Sequence, residues 1–177
     1  IDQSMLVTGC AGCGKSVIAM HKAEQIANDG NSVILISLTR SLNSFMQTGR
    51  SSSSYQFYHY HYWKYLGMPS ADYIIVDEIQ DFEREEIQEF IEAAGKHYFF
   101  FGDSAQSIYN HFGKKTLSID EIADMTGLIP LKLYNNYRLP RNVAKITQDY
   151  VGVNVMKYEE KVYKNKEKEL PHFVHFE

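Results

Sequence analysis

The chain has 177 residues, enough for one sizeable hydrophobic core and the start of a second. Hydrophobic residues make up 44% of it and charged residues 23%, as in ordinary globular proteins, and no apolar run approaches the length of a membrane span. The net charge of −4 excludes a broadly basic surface for duplex binding, so any contact with nucleic acid must come from a local groove. Two cysteines build no disulfide framework, and Ile1 opens no signal peptide, so we expect a cytoplasmic protein without membrane attachment.

Short apolar runs predict five buried strands. They lie at 4–8, 32–37, 73–77, 97–101 and 131–134. Because each run is continuously apolar and helical patterns separate several of them, we predict an α/β fold with a parallel sheet covered by helices on both faces.

Apolar residues at helical spacing and capping residues mark the predicted helices. The helix after the first strand ends with Gly30 as its C-cap. A second helix buries apolar residues within 87–94 and is closed by Gly95. The capping box at 118–121 opens a short helix, and Pro140 suits the first turn of another.

The octapeptide GCAGCGKS, from Gly9 to Ser16, is compatible with two chemistries. Cys10 and Cys13 have the C-x-x-C spacing of thiol redox sites and of zinc ligands. A structural zinc needs about four ligands, and no second pair of cysteines or histidines completes such a set. The same letters also fit G-x-x-x-x-G-K-[ST], the pattern of a loop that binds nucleotide phosphates.

The remaining residues of the octapeptide favour phosphate binding. Gly9, Gly12 and Gly14 allow backbone N–H groups to turn toward phosphate oxygens, and the following helix adds the positive end of its dipole. Lys15 would reach the β- and γ-phosphates, and the Ser16 hydroxyl would bind Mg²⁺. We therefore interpret this stretch as a phosphate-binding loop.

Two adjacent carboxylates, Asp77 and Glu78, end the apolar run of the third strand. Ligands of open α/β sheets bind at the carboxyl ends of strands, where an aspartate can hold Mg²⁺ and a glutamate can activate water. Because two carboxylates at the end of a buried strand are costly without a cation, we predict that Asp77 is a Mg²⁺ ligand and Glu78 a catalytic residue.

Four motifs together resemble those of the UvrD/Rep-like superfamily 1 helicases. They are VTGCAGCGKS, VDEIQDF, FGDSAQSIY and LYNNYR, in family order from Val7 to Arg138. The resemblance implies a RecA-like P-loop NTPase domain at 1–134, followed at 135–177 by a hinge and the start of a second motor domain.

The resemblance also implies roles that the residues alone do not. Gln106 would sense the γ-phosphate and Arg138 would contact it, so both join Glu78 as candidate catalytic residues. Tyr137 would stack on the adenine of ATP. Adenine is favoured over guanine because no N-K-x-D motif occurs.

Seven residues are candidate contacts to single-stranded nucleic acid: Thr39, Arg40, His59, Tyr60, His61, Tyr109 and His111. Thr39 and Arg40 lie where the family's second motif touches the strand, and a helix-capping role fits the same segment equally well. His111, two residues after Tyr109, stands where the family usually has an aromatic residue that stacks on a base.

The aromatic run from Tyr55 to Tyr65 leaves two interpretations open. It occupies roughly the place of the family's aromatic–histidine motif, and base–aromatic stacking is worth about 1–3 kcal/mol per base. Aromatic residues this dense also form cores and interfaces. His59 and His61 favour polar packing over a metal site, because no third ligand is in sight.

The predicted function is Mg²⁺-dependent ATP hydrolysis coupled to translocation on, or unwinding of, single-stranded nucleic acid, with DNA favoured over RNA. The chain lacks the family's inserted subdomain, its upstream glutamine motif and its second arginine, so we expect a fragment or shortened version with weak activity. Two alternatives remain: a P-loop ATPase that does not unwind, and a non-catalytic nucleotide-binding module.

Overall fold

The structure, a computed structural model, describes residues 3–38, 55–103 and 115–138. Its strands are β1 (Met5–Gly9), β2 (Val33–Ser37), β3 (Gln56–His59), β4 (Ala71–Asp77), β5 (Ala94–Gly102) and β6 (Leu131–Leu133). Its α-helices are α1 (Lys15–Asn28), α2 (Tyr60–Tyr65), α3 (Arg84–Ala93) and α4 (Ile119–Thr126). A single 3₁₀ turn, Ile79–Asp81, connects β4 to α3.

The six strands form one sheet in the order β3-β2-β4-β5-β1-β6. The pairs β3–β2, β2–β4, β4–β5 and β5–β1 are all parallel. Strand β2 is buried along its whole length and β4 along nearly all of it, which explains why their sequences are continuously apolar rather than alternating. The predicted α/β fold with a parallel, helix-covered sheet is confirmed.

Successive side chains of the central strands point to opposite faces of the sheet. One face packs against α2, α3 and α4, and its core contains Ile36, Val76 and Phe100. The other face packs against α1, where Nζ of Lys22 lies 5.9 Å from the ring centroid of Phe99. The helix contributes small buried residues to this face, among them Ala19, which lets it lie close to the strands.

Most predicted element ends agree with the structure. Gly30 has φ +84° and donates its N–H to Ala27, as expected of a C-cap, and the Ser118 hydroxyl caps α4. The prediction that Gly95 closes the preceding helix is wrong. The helix ends at Ala93 and β5 begins at once, because pairing with β4 extends back to Ala94. The predicted helix at Pro140 lies outside the described residues.

The chain divides into two compact units, Ile1–Gly9 with Lys15–Lys132, and Cys10–Gly14 with Leu133–Glu177. The first unit contains the sheet and all four helices, and the described part of the second contains the turn of the phosphate loop and the N-Y-R motif. The predicted domain boundary at Asn135 stays a prediction. None of the helices in the described ranges has the length and apolarity that crossing a membrane requires.

Candidate nucleotide site

The polar residues predicted to bind nucleotide in the first unit lie at one edge of the sheet. The carboxyl ends of β4, β5 and β1 are neighbours there, with Asp77 beside Phe101 and Thr8 beside Gly102. Helix α1 begins at Lys15 next to the same edge. The fold therefore brings together side chains that are up to about ninety positions apart in sequence, as the carboxyl edge of a parallel sheet commonly does.

Lys15 is a buried cation held by two oxygen acceptors. Its Nζ donates to the carbonyl oxygen of Gly9 at 2.8 Å and lies 3.8 Å from Oδ2 of Asp103. Both charged side chains are about 95% buried, so neither charge is solvated by bulk water. The ammonium group is thus fixed at the first turn of α1, where an anion would also meet the helix dipole.

Asp77 is completely buried at the end of β4. Its Oδ1 accepts the N–H of Glu78 at 3.1 Å, and the Ser16 hydroxyl is also hydrogen-bonded to this carboxyl. Its Oδ2 has no hydrogen-bond partner among the described residues. Burial, followed by the charge of Glu78, raises the pKa of Asp77 to about 6, although Ser16 and Lys15 favour the ionised form. Among the described residues, Lys15 and Ser16 therefore offset only part of the cost of burying this carboxylate.

These residues fit a magnesium ion by their chemistry. Mg²⁺ is bound by oxygen ligands, commonly one or two carboxylates together with waters and substrate phosphates. Ser16 and Asp77 supply a hydroxyl and a carboxylate in contact with each other, and Oδ2 of the carboxylate has no partner in the part of the chain that the structure describes. No cluster of three His, Cys, Asp or Glu side chains occurs within 3–38, 55–103 and 115–138, so a site made of these side chains alone does not arise there.

Glu78 has a strained backbone and a fixed carboxylate. Its φ of +56° and ψ of +48° lie in the left-handed region, which costs a non-glycine residue roughly 1–3 kcal/mol. Its Oε2 accepts a hydrogen bond from Nε2 of Gln80 at 2.8 Å. Oε1 of Gln80 accepts the N–H of Asp103 at 2.9 Å, which determines the orientation of the amide. The buried Gln80 side chain thus connects Glu78 to the end of β5.

Three residues of this edge were missed as candidates from the sequence. Gln80 and Asp103 lie inside the quoted motifs but received no role, and Ser37 ends β2 with a buried hydroxyl that has no partner among the described residues. All three are polar residues at or just after the ends of buried strands. That position could have identified them, since it identified Asp77.

In the second unit, the turn of the loop and the N-Y-R motif are hydrogen-bonded to each other. Gly12 and Gly14 have φ of +82° and +93°, which favours glycine at both positions. The N–H of Tyr137 donates to the carbonyl oxygen of Gly12 at 2.8 Å. The ring of Tyr137 is half-exposed and Arg138 is exposed, so both side chains are accessible for the roles implied by the resemblance.

Five candidate residues lie outside the described residues: Thr39, Arg40, Gln106, Tyr109 and His111. Of the others, His59 caps α2, its Nδ1 accepting the N–H of His61 at 3.2 Å, and His61 is exposed. Tyr60, however, is buried, with its ring centroid 5.1 Å from that of Phe82 and 5.8 Å from that of Phe90. Tyr60 is a core residue and, contrary to its predicted role, offers no face to a base.

The aromatic run divides between core and surface. Tyr60 and Trp63, three positions apart on one face of α2, are buried, whereas Tyr62 and Tyr65 are 52% and 83% exposed. The rings of Tyr62 and Tyr65 are stacked, with centroids 6.3 Å apart. The core interpretation therefore holds for Tyr60 and Trp63, and nucleic-acid binding by the exposed part stays a prediction.

The fold is shared with viral helicases of known structure. Arterivirus nonstructural protein 10, a helicase, matches with a TM-score of 0.57 and 15% identity over 92% of this chain and 41% of that chain. The same protein in complex with DNA gives a TM-score of 0.60 and 15% identity over 88% and 40%. The PRRSV helicase gives 0.57 and 11% over 90% and 34%. This chain spans less than half of each of these proteins, and at such identities the likeness shows the fold alone.

Sequence comparison assigns the family. No curated protein matches the chain. A family model described as an AAA domain matches residues 2–113, which is more than half of the chain and includes the phosphate loop, Asp77 and Glu78. The chain therefore belongs to the AAA domain family.

Proposed function

We propose that this chain binds Mg·ATP, hydrolyses it, and acts as the motor domain of a UvrD/Rep-like superfamily 1 helicase on single-stranded nucleic acid. The observation that carries the proposal is the group Lys15, Ser16, Asp77 and Glu78 at one edge of the sheet, in which a buried carboxylate oxygen has no partner among the described residues. The structural neighbours are helicases, one of them solved in complex with DNA, which supports the motor function.

Lys15 is proposed to bind the β- and γ-phosphates. Its ammonium group is already desolvated, donating to the carbonyl oxygen of Gly9 and lying 3.8 Å from Oδ2 of Asp103. If negatively charged phosphate oxygens replaced the neutral carbonyl oxygen, the electrostatic attraction on the buried ammonium group would become stronger. The N–H groups of the loop and the N-terminus of α1 would bind the same anion.

Ser16 and Asp77 are proposed to hold Mg²⁺. The ion would neutralise charge on the phosphate oxygens. For the protein, the benefit would lie at Asp77, because the ion would give Oδ2, which has no partner within the described ranges, a positive partner and would favour the ionised carboxylate.

Glu78 is proposed to orient and deprotonate the attacking water. The Gln80 amide donates to the Glu78 carboxylate, which limits the movement of the side chain and so holds it in one orientation toward the water. Arg138 and Gln106 are assigned to the γ-phosphate and Tyr137 to adenine, as the resemblance implies.

Matched substitutions test these roles. Lys15→Ala should weaken ATP binding, because a cation facing the phosphates is lost. Glu78→Gln should retain binding but abolish turnover, because only the water-activating step is removed. Glu85→Gln, an exposed residue of α3, is the control and should change neither. Equal loss of ATP affinity in the Lys15 and Glu78 variants would contradict the proposed division of roles.

Turnover with and without single strands tests the motor function. ATPase rates of the 177-residue chain should rise on adding single-stranded DNA, and less on adding single-stranded RNA of the same sequence. Turnover that neither strand changes would identify an ATPase that is not a nucleic-acid motor. ATP binding without any turnover would identify a nucleotide-binding module.

A further inference from the structure

The segment Asn136–Arg138 is hydrogen-bonded to consecutive peptides of the phosphate loop. Nδ2 of Asn136 donates to the carbonyl oxygen of Ala11 at 3.0 Å, and the N–H of Tyr137 donates to that of Gly12 at 2.8 Å. Nδ2 of Asn136 also lies 3.6 Å from Sγ of Cys10. All of these residues belong to the second compact unit, so the contacts lie within one body.

The orientation of the Asn136 amide is determined by its other end. The side chain is about 99% buried, and its Oδ1 accepts the N–H of Arg138 at 2.9 Å. The acceptor of the amide is therefore used within its own segment, and its N–H₂ group must face the loop. The polar groups of the amide thus have partners on both sides.

Gly12 shows how closely the segment approaches the loop. A Cβ added at Gly12 would lie 2.6 Å from Cβ of Arg138 and 2.9 Å from Oδ1 of Asn136. The pattern G-x-x-x-x-G-K-[ST] leaves this position unspecified. The close approach of the segment and the φ of +82° together explain why glycine occupies this position.

Holding the carbonyl groups determines where the neighbouring N–H groups point. In a trans peptide the C=O of one residue and the N–H of the next point in opposite directions within a rigid plane. The contact to Ala11 therefore orients the N–H of Gly12, and the contact to Gly12 orients the N–H of Cys13. The latter N–H closes the turn by donating to the carbonyl oxygen of Cys10 at 3.2 Å.

We propose that Asn136 is a positioning residue of the phosphate loop, whose amide holds the Ala11–Gly12 peptide in the orientation required for phosphate binding. The proposal rests on the proposed ATP-binding function. It differs from the roles implied for Tyr137 and Arg138, which concern their side chains, because here the Asn136 side chain and the Tyr137 backbone act on the loop itself.

Two variants separate the donor from the rest of the side chain. Asn136→Ala removes both polar atoms. Asn136→Asp, which has nearly the same size, keeps the acceptor for the Arg138 N–H but removes the donor to Ala11. Asn31→Ala is the control, because Nδ2 of Asn31 also donates to a backbone carbonyl, that of Ile26, but in the first unit.

The first measurement is amide hydrogen–deuterium exchange in the nucleotide-free 177-residue chain. Peptides covering residues 10–16 should exchange at least about 10-fold faster in both Asn136 variants, while peptides from β4 and β5 stay unchanged. The Asn31 variant should leave residues 10–16 as in the wild type. Unchanged loop exchange in both Asn136 variants would overturn the proposal, as would equal acceleration in the sheet.

The second measurement is Mg·ATP affinity by titration calorimetry on wild type, Asn136→Ala and Asn31→Ala. Asn136→Ala should weaken binding by roughly 10-fold to 100-fold, the range expected when a buried carbonyl loses its donor. Asn136→Asp is read by exchange alone, because its charge would itself repel phosphate. Wild-type affinity in Asn136→Ala would refute the positioning role. If the wild type itself binds no ATP, the proposed function fails, and the exchange data still decide whether Asn136 holds the loop.

Discussion

Replacing Gly102 by alanine should disturb both the core and the candidate base. Gly102 ends β5 with an ordinary backbone conformation, so the effect of an added Cβ is steric. That Cβ would lie 2.7 Å from Cδ1 of Ile119, 2.8 Å from Oε1 of Gln80 and 2.8 Å from Cγ2 of Ile79. The two isoleucine ends can move slightly, whereas Oε1 of Gln80 is held by the N–H of Asp103 at 2.9 Å.

The expected loss of stability has two parts. Overpacking a well-packed core typically costs about 1–3 kcal/mol. Displacing Gln80 would leave the buried N–H of Asp103 without its acceptor, which costs about 1–3 kcal/mol more. We therefore expect the free energy of unfolding to fall by roughly 2–6 kcal/mol. Because Gln80 also donates to Glu78, kcat for ATP should fall while ATP affinity is retained.

Gly95→Ala is the matched control in the same strand. Its added Cβ would meet nothing nearer than the carbonyl oxygen of Ala71 at 3.4 Å, an ordinary contact. Its free energy of unfolding should stay within about 1 kcal/mol of wild type or rise slightly, since alanine restricts the unfolded chain. Urea unfolding and steady-state ATPase kinetics measure both variants. Similar stabilities for the two variants would refute the steric reasoning, and an unchanged kcat in Gly102→Ala would refute the link through Gln80.

Three further predictions concern other parts of the chain. In EDTA, the Asp77→Asn variant should be at least as stable as the wild type. Added Mg²⁺ should raise the melting temperature of the wild type only, and an equal rise in both proteins would exclude Asp77 as a Mg²⁺ ligand. Ser118→Ala removes the cap of α4 and should lower the free energy of unfolding by about 1 kcal/mol at neutral pH. The N–H and hydroxyl of Ser118 hold the pKa of Glu121 below its ordinary value. The stabilisation by their contacts to the ionised Glu121 carboxylate is therefore present above the ordinary pKa of glutamate and is lost as the pH falls through the folded-state pKa. The difference between wild type and Ser118→Ala in urea unfolding should therefore shrink on acidification, and a constant difference would contradict the assignment. Finally, Cys10 and Cys13 of the loop are not joined by a disulfide, and forming one would have to bend the loop. Mild oxidation should weaken ATP binding reversibly in the wild type but not in the Cys10→Ser, Cys13→Ser double variant, and identical responses would exclude a thiol effect.

The sheet could be predicted because burial on both faces leaves a direct trace in the sequence. The strands β2 and β4 contain the continuous apolar runs VILI and YIIV, and few other environments favour such runs. The end of α3 was not predictable in this way. Gly95 has the composition of a C-cap, but pairing of β5 with β4 decided the local structure, and that pairing depends on residues more than twenty positions away.

The division of the aromatic run into buried and exposed residues could not be predicted from the sequence either. Nearly every residue from Tyr55 to Tyr65 is aromatic or histidine, so the apolar pattern has no visible period. The short helix α2 places Tyr60 and Trp63 on the core side, where Tyr60 packs against Phe82 and Trp63 against Phe90. Only the partner surface, formed by a later part of the chain, distinguishes core rings from exposed ones.

The two aspartates of β4 show that the candidate site can be located by the free-energy cost of a buried carboxylate as well as by sequence motifs. At one end, Asp72 accepts the N–H and the hydroxyl of Ser32, both at 2.9 Å, and these donors hold its pKa below the ordinary value. At the other end, burial raises the pKa of Asp77 to about 6, and one of its oxygens is unpaired among the described residues. The sequence shows two acidic residues flanking the same apolar run, and it distinguishes them only by their position and motif. The structure adds their surroundings, because protein donors hold Asp72 ionised, whereas Oδ2 of Asp77 has no partner among the described residues and we expect a bound cation to supply one. A strand end that keeps an uncompensated carboxylate, next to a residue with a left-handed backbone, lowers the stability of the ligand-free fold. A loss of stability of this kind is expected at a site where ligand binding offsets it. Lys15 and Ser16 lie at the same edge of the sheet, which supports a ligand site there.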